Sequence, residues 1–155
     1  MFGRMLEPMQ ARRRSDLHTM LLSHEPTGDK ERRDRDLMLE LAQTLRDPLS
    51  PHEEAAHFTA SALVVDEALE RVCLVHHRKL DRWLQPGGHI EPTDETLLAA
   101  AMREVAEETS LRTQPFFERP LDLDVHEFPE REGRRAHLHL GAVQRSADLC
   151  PSKLL

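Results

Sequence analysis

Arg103 to Leu111 read Arg-Glu-Val-Ala-Glu-Glu-Thr-Ser-Leu, a short stretch downstream of Pro86-Gly87-Gly88-His89-Ile90-Glu91-Pro92. On a helix, Glu104, Glu107 and Glu108 stand at i, i+3 and i+4 and share one side. Carboxylates this close repel one another unless positive charge sits among them. Such a set of hard oxygen donors suits magnesium, which takes octahedral oxygen coordination and relies on few carboxylates plus substrate phosphates; manganese fits the same donors. Ions of this kind polarise phosphoryl oxygens and lower the pKa of a bound water, and a glutamate that stays ionised takes the proton. Gly87 and Gly88 let the backbone approach an ion or a phosphate closely. Singly, a Glu-x-x-Glu-Glu run is ordinarily a solvated helix face and Pro-Gly-Gly an ordinary turn. The two together, at this separation, give the segment its chemical meaning.

Other polar residues carry weaker signals. Arg78 and Arg82 flank a strand end in His76-His77-Arg78-Lys79 and Asp81-Arg82-Trp83, where a basic patch facing an acidic site would bind phosphates or a base; singly, each reads as a loop residue. His89 lies in the glycine segment, close enough in sequence to approach a phosphate. His137 and His139 alternate with Ala136, Leu138 and Leu140 and so share a sheet face. Two histidines on a face could meet zinc, but that segment offers no third ligand, and a polar cleft wall is the simpler reading. Trp83, the one tryptophan, reads as core. Arg12-Arg13-Arg14 reads as a solvated charge run.

The elements that must position these residues follow from periodicity. Leu98, Ala101, Met102 and Val105 mark the buried stripe of a helix from about Thr96 to Thr109, with the glutamates on a different face. Phe58–Val65 and Arg71–Val75 are apolar, strand-like runs joined as a hairpin, and a short strand around Trp83 and Leu84 ends where Pro86-Gly87-Gly88 forms a tight loop. Leu121–Phe128 and Arg134–Val143 read as two further strands around Pro129-Glu130-Arg131-Glu132-Gly133. Before all of these, residues 1–56 read as helical. Met5, Leu6, Met9, Leu17, Met20 and Leu21 suggest one helix, and Leu37, Met38, Leu41, Ala42 and Leu45 a second, ended by Asp47-Pro48. The expected fold is α/β of the α+β kind, a mixed β-sheet packed by helices with a helical N-terminal extension. The expected boundaries are an extension over 1–56, a catalytic domain over 57–146 and a tail over 147–155. The tail shows no helix for the sheet's second face, so either the N-terminal helices cover it or the chain stops short.

Composition narrows the function further. A chain of 155 residues supports one domain. A net charge of −7 speaks against general nucleic-acid binding. The negative charge gathers where the motif lies: between Gly88 and Leu111, Glu91, Asp94, Glu95, Glu104, Glu107 and Glu108 face the single base Arg103. Cys73 and Cys150 form neither a disulfide framework nor a Cys-x-x-Cys metal pair, and Cys73 reads as a small core residue. With no apolar run long enough to span a membrane and no apolar signal core, the cytoplasm is the expected location.

The motif as a whole resembles the signature of the Nudix hydrolase family: Gly, five residues, Glu, seven residues, then Arg-Glu-apolar-x-Glu-Glu-x-Gly-apolar. The required seven residues separate Glu95 from Arg103, and Glu104, Val105, Glu107, Glu108 and Leu111 match. There are two departures: six residues separate Gly88 from Glu95, and Ser110 takes the final glycine position at the helix end. The resemblance is strong over Pro86–Leu111 and extends as a fold over about Phe58–Val143. It implies a magnesium site of Glu104, Glu107, Glu108 and the Gly88 carbonyl, with manganese as a substitute. It also implies that Arg103 orients a glutamate, Glu95 or Glu104. The catalytic set is then Glu104, Glu108, Arg103 and Glu95, with the identity of the base open because it varies within the family. Arg78, Arg82, His89 and His139 are the substrate-binding candidates.

The implied reaction is water attack on phosphorus, cleaving the diphosphate linkage of a small-molecule substrate, a nucleoside diphosphate derivative. No membrane partner is expected, and the leucines and methionines of the N-terminal segment offer a homodimer contact. The competing readings are a Nudix-fold sensor that binds without turnover and an isomerase on the same type of fold.

Overall fold

In the computed structural model, which describes residues 3–130 and 135–148, two helices come first: α1 (Gly3–Ser23) and α2 (Asp29–Thr44). Then follow β1 (Ala56–Val65), β2 (Val72–Cys73), β3 (Val75–His77), β4 (Arg82–Leu84) and β5 (Gly87–His89). The chain continues through α3 (Leu97–Thr109), β6 (Thr113–Pro115), β7 (Asp122–Phe128) and β8 (His137–Asp148). β1 and β8 form the parallel centre of a six-stranded mixed sheet. β2 and β5 pair antiparallel with β1, and β6 and β7 pair antiparallel with β8.

Strand alternation sorts the side chains of this sheet onto two faces. Ala56, Phe58, Ala60, Ala62 and Val64 of β1 are buried, and their register partners on β8 include Leu138, Leu140 and Ala142. Leu123 and Val125 of β7 join the same layer. All three helices feed it: Leu17 and Leu21 from α1, Met38 and Ala42 from α2, and Leu97, Ala100, Ala101 and Val105 from α3. The helical extension is therefore built into the same apolar core as the sheet. The other face of β1 carries His57, Thr59, Ser61 and Leu63.

Several expectations change against this architecture. Pro86-Gly87-Gly88 does not form a loop: Gly87–His89 is the strand β5, whose Gly87, Gly88 and His89 pair with Ser61, Ala60 and Thr59. Two glycines permit this because a Cβ on Gly87 would lie 2.4 Å from the Ser61 Cβ and 2.7 Å from the Ala60 carbonyl oxygen. The run Arg71–Val75 breaks at Leu74 into β2 and β3, and β3 pairs with β4 in a separate two-stranded ribbon. Trp83 consequently is not core. It is 66% exposed on a ribbon outside the main sheet, with only the His76 ring described against it, 5.1 Å away. The buried stripe of α3 is Leu97, Ala100, Ala101 and Val105, while Leu98 and Met102 are half-buried. β6 is short and Pro-terminated, and carries no alternation long enough to read. β8 runs past Val143 to Asp148. Cys73 is half-buried against the core, whereas Cys150 and residues 131–134 lie outside the described residues.

The exposed edge of β7 is closed by side chains of α2. Leu123 N–H donates to Glu31 Oε1 (3.2 Å) and Val125 N–H to Asp34 Oδ2 (3.0 Å), so an edge that could template another strand is capped from within. Lys30 Nζ joins Asp34 and Asp124 across the same seam. Burial alone would raise the pKa of Glu31. Four donors outweigh it: Thr27 N–H at 2.6 Å, His24 Nε2 at 2.6 Å, Thr27 Oγ1 at 2.9 Å and Leu123 N–H. The result is a pKa of about 2.

A carboxyl depressed in the folded state stabilises fully above its unfolded pKa, and that stability is lost as pH falls through the folded value. The window here runs from 4.5 down to about 2, and the contribution is on the order of 3 kcal/mol. Urea denaturation of the wild type and Glu31→Gln from pH 7 to pH 2 should show a stability gap that is widest at neutral pH and narrows through this window. A gap that stays constant with pH would show that Glu31 acts through shape alone.

Candidate catalytic site

α3 begins where Thr96 Oγ1 accepts the Ala99 N–H (3.0 Å) and ends at Ser110, which adopts left-handed backbone (φ 57°, ψ 18°) while its N–H reaches the Ala106 carbonyl (3.0 Å). Ser110 thus occupies a conformation that glycine adopts at less cost. Between these ends the helix turns Arg103, Glu104, Glu107 and Glu108 toward β5 and the segment that follows it.

Arg103 is the hub of the site. Its Nη2 donates to Asp94 Oδ2 (2.8 Å) and to the His89 carbonyl (2.9 Å); its Nη1 donates to Glu104 Oε1 (3.0 Å) and Glu107 Oε2 (3.1 Å); its Nε donates to Asp94 Oδ1 (3.1 Å). Glu91 adds a weaker contact at 3.9 Å. The Asp94 hydrogen bond is the largest influence holding this guanidinium charged. Burial pushes Asp94 up, but Arg103 and the Glu91 N–H (2.8 Å) reverse the effect and leave its pKa below the usual range. Glu104 behaves oppositely. Burial is the largest influence and raises its pKa; Arg103 opposes this without cancelling it, and Glu107 and Glu108 add smaller repulsions. A carboxylate so placed gains from an added cation.

The partner of Arg103 is therefore Asp94 together with Glu104. Glu95 is exposed and makes no described contact with Arg103. The departure in spacing now has a physical explanation. Five residues separate Gly88 from Asp94, not from Glu95, and the shorter Asp94 side chain, 6% exposed, turns back onto Arg103. The additional residue falls between this carboxylate and the helix.

Two glutamates converge on β5. Glu108 Oε2 accepts the Gly87 N–H (3.0 Å), and the Glu104 carboxylate sits where a Cβ on Gly88 would stand, 2.6 Å from Oε1. Any side chain at 88 would displace Glu104. Glu107 is more exposed and tied to Arg103. The structure thus brings together Gly88, Arg103, Glu104, Glu107 and Glu108, with Asp94 added. Arg78 and Arg82 stand apart and exposed, in the turn and the second strand of the β3–β4 ribbon.

His89 and His139 do not join this group. Gly88 faces α3, so its neighbour His89 points to the opposite face of the sheet, where its ring lies 5.1 Å from His57 and 5.7 Å from His139. His137 is part of the same assembly. Burial, followed by the neighbouring His57, His137, His126 and His89, lowers the His139 pKa to about 3.

Compared with known families, the chain matches the NUDIX domain over residues 55–151. It belongs to the Nudix hydrolase family. Proteins named phosphatase NudJ from Escherichia coli (strain K12) and Shigella flexneri are each 41% identical over 68 residues, 42% of this chain. The matched segment spans only 39% of the length of those relatives. A solved Nudix hydrolase from Nitrosomonas europaea aligns over 63% of this chain and 64% of its own, at 22% identity and a TM-score of 0.41.

The geometry distinguishes the two neighbouring acids. Asp94→Asn should destabilise the protein by about 2–4 kcal/mol, because it leaves a largely buried guanidinium short of its closest anion. Glu95→Gln should stay within roughly 0.5 kcal/mol of wild type. Chemical denaturation of both variants decides, and the reverse order would return the Arg103 contact to Glu95. In the same assay Ser110→Gly should gain about 0.5–1 kcal/mol by relieving the left-handed serine.

Proposed function

We propose that this protein is a magnesium-dependent hydrolase that cleaves the diphosphate linkage of a nucleoside diphosphate derivative by water attack on phosphorus. The observation that carries the reading is the Arg103-centred cluster, with Glu104 and Glu108 converging on the glycine strand. The residues fit a hard divalent cation. Glu104 is half-buried and destabilised as an anion, and Gly88 leaves room for its carboxylate. Glu104, Glu107, Glu108 and the Gly88 carbonyl would hold the ion, magnesium or manganese. When bound, it would lower the pKa of water and neutralise phosphoryl oxygens.

The chain's own residues do the rest. Arg103 fixes the rotamers of Glu104 and Glu107 and ties α3 to β5 through the His89 carbonyl, so the donors are oriented before substrate arrives. Glu108, held by a single backbone N–H, keeps acceptor capacity for a proton. Glu95, exposed on the approach to α3, would contact substrate or solvent rather than orient Arg103. Arg78 and Arg82 are our candidates for the substrate's phosphates, since their ribbon is open to solvent. The relatives named phosphatase support phosphorus chemistry. Among the described residues no helix is long and apolar enough to cross a membrane, in keeping with a cytoplasmic enzyme acting on a soluble substrate. Self-association would use exposed α1 residues such as Met9 and Leu22.

The test is a magnesium-dependent screen against ADP-ribose, dinucleotides, nucleoside triphosphates and coenzyme A derivatives, with products identified. Turnover of one of these should require the metal and fall by roughly 10²-fold or more in Glu107→Gln and Glu108→Gln. Activity surviving without magnesium and without these carboxylates would sink the proposal. A ligand bound tightly but never cleaved would instead identify a sensor.

A further inference from the structure

Five histidines from four strands meet on the sheet face opposite the glutamates. The register imposes this. His57 and His139 are direct partners in the parallel β1–β8 pair, and His137 lies two residues from His139 on the same face. His126 is the β7 partner of His139, and His89 is the β5 partner of Thr59, next on the His57 face. The ring centroids of His57, His137 and His139 lie 4.6–5.3 Å apart.

We propose that His57, His137 and His139 form a transition-metal site of zinc type, separate from the carboxylate cluster. One ring nitrogen from each lies within 4.8 Å of the other two. The Nε2 atoms of His137 and His139 are 3.1 Å apart. Tetrahedral zinc with Zn–N bonds near 2.0–2.1 Å needs its nitrogens about 3.4 Å apart. One pair is already near that spacing, and a modest turn of the third ring would close it.

The tautomers favour coordination. His137 Nδ1 is 2.9 Å from the Arg135 carbonyl and His57 Nδ1 is 3.4 Å from the Glu53 carbonyl. A carbonyl only accepts, so each Nδ1 carries the proton and each Nε2 its lone pair. Histidines that bind metals are oriented in the same manner, through a carbonyl or carboxylate on the other nitrogen. His126 repeats the arrangement with Asp124 Oδ2 at 2.9 Å.

Access is also present. A cavity of about 370 Å³ opens onto His57 and His137, with His52, Glu53, Glu54 and Arg135 around it. An ion held by three imidazoles would keep a fourth position toward this space, for water or for a side chain at its mouth. Imidazole donors select zinc, copper or nickel over magnesium, so the two sites draw on different ions. The rival arrangement is a direct hydrogen bond from His139 Nε2–H to His137 Nε2, which needs no cation. The site would pin β1 to β8, and its existence does not depend on the hydrolase assignment.

The test uses the untagged full chain, stripped with chelator and held in millimolar magnesium. Zinc chloride is titrated by calorimetry and cobalt chloride by visible absorption. The wild type should bind one equivalent of zinc, give the intense cobalt bands of a four-coordinate site, and gain thermal stability with zinc. His137→Gln and His139→Gln should each weaken zinc binding by about 10²-fold or more. Glu107→Gln/Glu108→Gln should keep full zinc stoichiometry while losing hydrolysis. Zinc affinity unchanged in both histidine variants, binding lost in the glutamate variant, or no stoichiometric binding by wild type would each overturn the site. His137→Gln, on a half-buried ring, guards against a folding defect: circular dichroism must match wild type for its loss of zinc to count.

Discussion

Arg103 occupies a position on which the acidic end of the molecule depends. Its guanidinium reaches Asp94, Glu104 and Glu107 and the carbonyl of His89, joining one helix, one strand and the segment between them. The acids it gathers could not stand so close without it, since each carboxylate raises the cost of ionising the next. Arginine suits this place better than lysine, because a planar fork serves several acceptors at once whereas an ammonium is a single point charge. The neutralisation is incomplete by construction. Asp94 is satisfied and falls below its ordinary pKa, while Glu104 remains above its own. One guanidinium therefore assembles the cluster and still leaves it short of positive charge.

The central pair β1–β8 divides the remaining chemistry. Ten residues of continuous parallel register, Ala56 with Leu138 through Val65 with Ala147, give one face to the core and the other to polar side chains. A slip of one residue would exchange the two faces, burying His57 and His139 among Phe58 and Leu140 positions. The apolar face is covered by α1, α2 and α3, so the core itself enforces the register that collects the histidines. This coupling explains how histidines from four strands are brought together on one face.

Much of the acidic site was legible in the chain because helix geometry is local. Glu104, Glu107 and Glu108 share a side at any helix of ordinary pitch, and Leu97–Val105 show the stripe that fixes which side is buried. What was not legible depended on contacts that residue spacing alone does not give. Glu95 fits a spacing rule counted from Arg103, yet Asp94 makes the contact, because the turn that returns the chain to the helix is closed by the Glu91 N–H and not by residue count. Gly87-Gly88 reads as a turn since glycine usually marks one, but the proximity of Ala60 and Ser61 makes it a strand. Trp83 reads as core by residue type, and only the absence of β4 from the main sheet leaves it exposed. The third histidine was hidden for the same reason: His57 and His139 are far apart along the chain, and only the parallel register makes them neighbours.

β5 is where the two faces become one problem. Three residues long, it must pass between α3 on one side and the histidines on the other, and alternation assigns each residue its direction. Gly87 yields an N–H to Glu108 and has no room for a Cβ; Gly88 yields its side-chain space to Glu104; His89 gives its carbonyl to Arg103 and its ring to the histidine cluster. Displacing this strand by a fraction of an ångström would lengthen the Arg103 contact and shift the His89 ring in one movement. The constraint on Gly87 and Gly88 is thus doubled. They are small because Ala60, Ser61 and Glu104 leave no space, and because the strand they form carries His89 against both clusters at once.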